Sequence, residues 1–172
     1  MKFPYAFPLV MFVLLGSACS DDDDQAPTQP DTEAITFTDP ANSGGCVDFQ
    51  FYHYSDDREY GLLLSGDTAD LDLTADWQSF DLAEGNDGRL TLELYEFSQP
   101  VDAFFCDDVL EAKENPIQEW RAERGTVRLR IARQSTGAGT YEIDVVMLDV
   151  MVGELQLDRL ERSNVEVGWI PG

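Results

Sequence analysis

Val127-Arg128-Leu129-Arg130-Ile131 and, past a turn at Ser135-Thr136-Gly137-Ala138-Gly139, Tyr141-Glu142-Ile143-Asp144-Val145 set apolar and charged side chains in alternation. A period of two puts one face of a strand on a core and the other in water, so the pair predicts a β-hairpin. Pairing Ile131 with Tyr141 and Leu129 with Ile143 also sets Arg130 opposite Glu142 and Arg128 opposite Asp144. One register then satisfies both faces. Exposed ion pairs of this kind contribute only about 0.2–1 kcal/mol each, so they select register more than they stabilise.

The same pattern extends outward in both directions. Cys46 to Tyr54 alternates, with Val47, Phe49, Phe51 and the single histidine, His53, on one side. Ser55-Asp56-Asp57-Arg58 is a turn, and Tyr60 to Leu64 returns with three consecutive leucines that leave its register open. Leu71-Asp72-Leu73 and Trp77 to Leu82 give two short strands, and Leu90, Leu92 and Leu94 alternate in the next. Residues 98–116 are irregular, with one or two helical turns expected at Asp108 to Glu114, and Ile117 to Trp120 resumes a strand. Val146 to Val152 is nearly all apolar, implying a bulge or a strand covered on both faces; Leu155-Gln156-Leu157 and Val165-Glu166-Val167 end the series. Eight or nine short strands between turn signals predict an all-β fold, a single antiparallel β-sandwich of immunoglobulin-like or jelly-roll-like form. A closed β-barrel is the alternative.

Charge narrows the partners. From residue 19 onward the chain has 34 acidic and 10 basic side chains, and from Cys46 onward 27 and 10. Such a field repels nucleic acid and attracts cations and basic partners. Lys113 is the one lysine beyond Lys2, and aspartate outnumbers glutamate 21 to 13, a surface that stays solvated in concentrated salt.

The amino-terminal residues carry a different kind of signal. Lys2 precedes an apolar run, Phe3 to Leu15, of 13 residues. A membrane-spanning helix needs roughly twenty, so the run has the layout of a secretory signal. Gly16-Ser17-Ala18 offers a small-x-small cleavage site that would leave Cys19 a free thiol; alternatively Cys19 receives lipid. Leu15-Gly16-Ser17-Ala18-Cys19 resembles the bacterial lipobox, matching it at Ser17, Ala18 and Cys19, with leucine one place early. Ser20-Asp21-Asp22-Asp23-Asp24 is similar to the acidic export tag of Bacteroidota surface lipoproteins, and serine after the cysteine implies the outer membrane by proteobacterial sorting. The resemblance implies acyl chains (palmitate among them) on Cys19, a lipid anchor in the outer membrane, and exposure on the cell surface. The expected organisation is a lipoprotein signal peptide at 1–18, the lipidated cysteine and a flexible acidic tether at 19–45, and the β-domain at 46–172.

With Cys19 so used, Cys46 and Cys106 remain as a pair in an oxidising export route, and a disulfide is expected between them. No HExxH, P-loop or GxSxG motif occurs, and the many acids single out no catalytic pair, so the chain is read as no enzyme. The function expected is a non-catalytic interaction domain of the bacterial envelope, with an envelope protein as partner. Two alternatives stand beside it. Tyr52, Tyr54, Tyr60 and Trp77 could form an aromatic platform for an extracellular glycan, with Asp67, Asp70, Asp72 and Asp76 as candidate calcium ligands for adhesion. The other is a carboxylate-dependent hydrolase. No further cofactor is expected.

Overall fold

The computed structural model describes residues 34–83, 88–106, 115–134 and 139–168. They form eight antiparallel strands: β1 (Ser43–Cys46), β2 (Gln50–Tyr54), β3 (Tyr60–Gly66), β4 (Gln78–Asp81), β5 (Leu90–Glu96), β6 (Gln118–Gln134), β7 (Thr140–Val152) and β8 (Leu155–Gly168). The order across the sheet is β1-β2-β3-β5-β6-β7-β8, with β4 also on β6. The sheet curls until β1 and β8 lie side by side near Gly45 and Glu166, a nearly closed, barrel-like form. It serves equally as two packed layers sharing β6, whose residues 118–121 pair with β5 and residues 126–129 with β4.

β6 joins the two expected segments, Ile117–Trp120 and Val127–Ile131, into one strand of 17 residues. It turns the corner at Gly125, where φ is +136° and an added Cβ would lie 2.8 Å from the Val150 Cα. Asp149 on β7 stands at φ +52° beside it, a bulge, the first of the two readings of the nearly all-apolar run Val146 to Val152. Bulges of this kind bend a sheet and raise its twist. Past the bend, Val127, Leu129, Ile143, Val145 and Met147 close on Phe51, Leu62, Leu64, Leu92 and Leu94 in one core.

The β6–β7 hairpin forms, but its register is two residues away from the expected one. Ile131 faces Ile143, Leu129 faces Val145 and Arg130 faces Asp144; Arg128 stands opposite Val146. A slip of two leaves every side chain on its own face, so alternation does not distinguish the two registers. Packing and pairing decide. Arg130 grips Asp144, which is only 6% exposed, through Nε at 2.7 Å and Nη2 at 2.6 Å. An irregularity after Ile131 then lets Arg133 meet Glu142 at 2.7 Å.

Other differences are local. Cys46 to Tyr54 is a tight hairpin rather than one strand, and Val47 is exposed at its tip with φ +43° instead of facing the core. Leu71 is buried, but from a single helical turn, Thr68–Leu71, rather than a strand. The two expected final strands are one, β8, with a bulge at Asn164 (φ +55°). The folded unit starts at Ala34, so residues 34–45 belong to the domain and not to the tether. Asp108 to Glu114 lies outside the described residues.

The outer face of β2, β3 and β5 is covered a second time. Phe97, Val101 and Phe105 fold over it onto Tyr54, with Tyr52, Leu63, Tyr95 and Phe104 around them. Gly61 makes room: a Cβ there would sit 2.7 Å from the Phe105 ring. The Tyr54 hydroxyl accepts the N–H groups of Phe104 (2.7 Å) and Phe105 (2.9 Å). The Cys46–Cys106 disulfide, with Cα atoms 5.7 Å apart, ties the end of this cover to β1. Closing a 60-residue separation stabilises by roughly 4 kcal/mol in the chain-entropy account. The double variant Cys46→Ala/Cys106→Ala should therefore unfold at distinctly lower urea, by that order of free energy. An unchanged midpoint would show that the loop is held by its aromatic packing alone.

Candidate functional site

Two places in the fold concentrate polar groups. The first is the seam between β1 and β8, where residues 34–39 run into the domain. Phe37 is buried and packs edge-on against His53, centroids 5.5 Å apart. The backbone on either side is held at each step. Thr38 and Asp39 donate their N–H groups to Asp56 Oδ1 at 2.9 Å each, and the Thr38 hydroxyl donates to Oδ2 at 2.7 Å. The Asp39 N–H and the Thr38 hydroxyl hold the Asp56 carboxyl far below the usual carboxylate range.

Arg162 reaches in from β8 and donates to the Phe37 carbonyl at 2.8 Å. His53 Nε2 lies 3.0 Å from the Asp39 carbonyl and 3.1 Å from Arg162 Nη2. A neutral Nε2 either donates to the Asp39 carbonyl or accepts from Arg162, so the tautomer selects one of the two, and the buried Nδ1 meets no described group. Burial pushes the His53 pKa down to about 4; the Asp39 carbonyl opposes this and the Arg162 charge adds to it. The imidazole is thus a neutral clasp at neutral pH and sits on the inward face that the alternation of its strand assigned. Above it opens a groove of about 570 Å³ lined by Thr38, Ser43, Gly44, Tyr52, Arg162 and Glu166.

The second place is the outer face of β4, β6, β7 and β8. Trp77, just before β4, lies against two guanidinium groups, with Arg128 Cζ 5.0 Å and Arg130 Cζ 4.7 Å from its ring centre. Arg130 is matched by Asp144, whose Oδ1 in turn accepts the Asn164 N–H at 3.0 Å. A groove of about 410 Å³ adjoins, lined by Ala75, Arg130, Ala132, Asp144, Ser163 and Asn164.

The expected aromatic platform is not gathered on one face. Tyr52 and Tyr54 are neighbours, centroids 5.5 Å apart, but Tyr54 is buried under Phe105. Tyr60 packs against the main core and donates to Glu96 at 3.5 Å, and Trp77 keeps company with arginines instead. The four aspartates have local tasks. Asp67 caps the helical turn through the Ala69 N–H (2.8 Å), Asp70 lies within that turn, and Asp72 ends it in the left-handed region. The Asp76 carbonyl accepts from the Thr74 hydroxyl at 3.4 Å. Among the described residues no three His, Cys, Asp or Glu side chains are grouped to hold a metal ion. Cys19 lies outside the described residues.

The sequence reading missed both Arg162 and the Arg128–Trp77 contact. Arg162 falls on an inward position of β8, visible only once the two last strands are one; Arg128 was assigned to an ion pair that the true register removes. No family model matches the chain, and the searches of curated proteins and of solved structures find no match.

The His53 clasp predicts a pH dependence. A base whose folded pKa is depressed binds fewer protons folded than unfolded, so stability is complete above pH 6.5 and falls as pH drops toward 4. The loss approaches roughly 3 kcal/mol. Asp56, with its depressed carboxyl, loses its contribution only below its unfolded value of 3.8, so the two windows separate. Urea melts between pH 7 and 4 should show this slope in the native chain and a flatter one in His53→Gln. Equal slopes would remove His53 from the seam's energetics.

Proposed function

We propose that this protein is a lipid-anchored outer-membrane protein, exposed on the cell surface, whose β-domain serves as a non-catalytic interaction module. The observation that carries the reading is the disulfide. Three cysteines are present, and the structure pairs Cys46 with Cys106. That leaves Cys19 without a partner inside the chain, at the position where the lipobox-like stretch assigns the acyl chains. A structural disulfide also suits an exported protein and not a reducing cytosol.

The seam supports the same reading from the other side. Everything ahead of Ala34 is connected to the domain through a backbone segment gripped by Asp56, His53 and Arg162. Several acyl chains anchor stably where one alone is marginal. A tether of some fifteen residues would then give the domain a reach of roughly 20 Å. The partner is an envelope protein, or a ligand outside the cell.

The test is made in a bacterial host with a lipoprotein pathway. Cys19→Ala should abolish incorporation of labelled palmitate and move the protein from the detergent phase to the aqueous phase, with the domain still folded. External protease should remove the wild-type domain from intact cells. A Cys19→Ala chain that keeps its lipid and its membrane fractionation would overturn the anchor, and a domain protected until the outer membrane is opened would overturn surface exposure.

A further inference from the structure

The charge of the domain is not evenly spread. Residues 39–116 carry 19 acidic and 3 basic side chains, whereas residues 117–172 carry 9 and 7. The second set holds β6, β7 and β8, so the outer face around Trp77 takes its backbone largely from the near-neutral half. Within it, Arg128 has no charged residue opposite it. Its cross-strand neighbours are Ser79 on β4 and Val146 on β7, neither of which carries charge. Among the described residues its side chain makes no hydrogen bond and no ion pair, and it lies against the Trp77 ring. A half-buried guanidinium keeps five donors aimed in a fixed fork, which fits a carboxylate or sulfate in two parallel bonds. In so acidic a protein an arginine left unmatched beside a matched one, Arg130 with Asp144, is free to take an anion from outside.

The surroundings say what carries the anion. The indole is half-buried with both guanidinium groups over its ring, and the part still open to solvent is apolar surface of the kind on which the C–H groups of a pyranose ring pack. Arg130, which touches the same indole, lines the neighbouring groove of about 410 Å³, where Asp144, Ser163 and Asn164 supply the mixed acceptors and donors that hydroxyl groups need. We propose that Trp77, Arg128 and this groove form a binding site for an acidic saccharide, its carboxylate on Arg128 and its ring against Trp77. The general acidity of the domain then acts as a filter against long polyanions, which favours short or end-on segments. The site does not depend on the lipid anchor, so it stands or falls separately from the localisation above.

The experiment uses the full chain purified in detergent, followed by intrinsic tryptophan fluorescence and calorimetry. Tetragalacturonate is titrated against a neutral galactose tetramer and against sodium acetate at equal ionic strength. Saturable binding of the uronate oligomer, absent or at least tenfold weaker for the neutral one, supports the site. It should weaken at least tenfold in Arg128→Gln and in Trp77→Ala while their melting temperatures stay near wild type; Arg133→Gln, on the same face but paired with Glu142, should bind as wild type. No saturable binding of the uronate, equal binding of the neutral oligomer, or an unchanged affinity in Arg128→Gln would each overturn the proposal. Acetate competing as well as the oligomer would reduce the site to a simple anion site and overturn the saccharide.

Discussion

A sheet of eight strands has to fold its own apolar face onto itself, and β6, 17 residues long, pairs in both halves. The bend lies where Gly125 on β6 meets Val150 and Asp149 on β7: the backbones approach so closely that a Cβ has no room, and Asp149 enters the left-handed region. A β-bulge costs a ladder bond but supplies curvature that a flat pleat lacks. The Gly125 carbonyl is not wasted, since it accepts the Leu82 N–H at 2.9 Å. From this corner the rest follows, because the two halves bring Phe51, Leu62 and Leu94 against Leu129, Ile143 and Met147 only when the strand turns.

A bent sheet leaves two problems, and the chain solves each with a short irregular segment. The outer face of β2, β3 and β5 carries Tyr54, Leu63 and Tyr95, which would otherwise be wet apolar surface. Residues 97–106 cover it, pinned by the Arg58 carbonyl at the Val101 N–H in the middle and by the Tyr54 hydroxyl and the Cys46–Cys106 bond at the end. The open seam between β1 and β8 is the other problem. Residues 34–39 fill part of it, with Phe37 joining the core and the backbone polar groups bound by side chains instead of a neighbouring strand. An exposed sheet edge invites pairing with other chains, and a side-chain-bound segment laid along the gap removes part of that edge without adding a strand.

How much of this was legible follows from what alternation can encode. Leu90, Leu92 and Leu94 point inward and Tyr95 outward as the period of two required, and the disulfide followed from cysteine arithmetic. The hairpin was legible as a hairpin, but its register was not, because a shift of two preserves the face of each residue and exchanges only partners. The charge pattern looked decisive and misled: Arg128 opposite Asp144 is as good on paper as Arg130 opposite Asp144, and only burial of Asp144 with the Asn164 N–H selects the second. Leu71 and Val47 failed for a related reason. An apolar residue next to an aspartate fits a strand, a helical turn or a turn tip equally, and Asp67 as a cap and the positive φ at Val47 are decided by the chain's path. The site residues were least legible, since Arg128, Arg162 and Trp77 gain their meaning from neighbours far away in sequence.

The misread register is also what gives the outer face its character. With the expected pairing, Arg128 and Arg130 would both be neutralised and the face would be an inert ladder of ion pairs. The actual pairing spends Asp144 on Arg130 and moves Glu142 to Arg133, leaving Val146 opposite Arg128. The hairpin does not require a charge at that position, because an uncharged residue would serve a strand there as well, and an unmatched cation half withdrawn from water costs desolvation free energy. Trp77 offsets part of that cost through the ring quadrupole, on the order of 1 kcal/mol. A sequence with 34 acidic side chains available has matched this arginine with none among the residues described. The arrangement is therefore better explained by what arrives at the surface than by what holds the strands together.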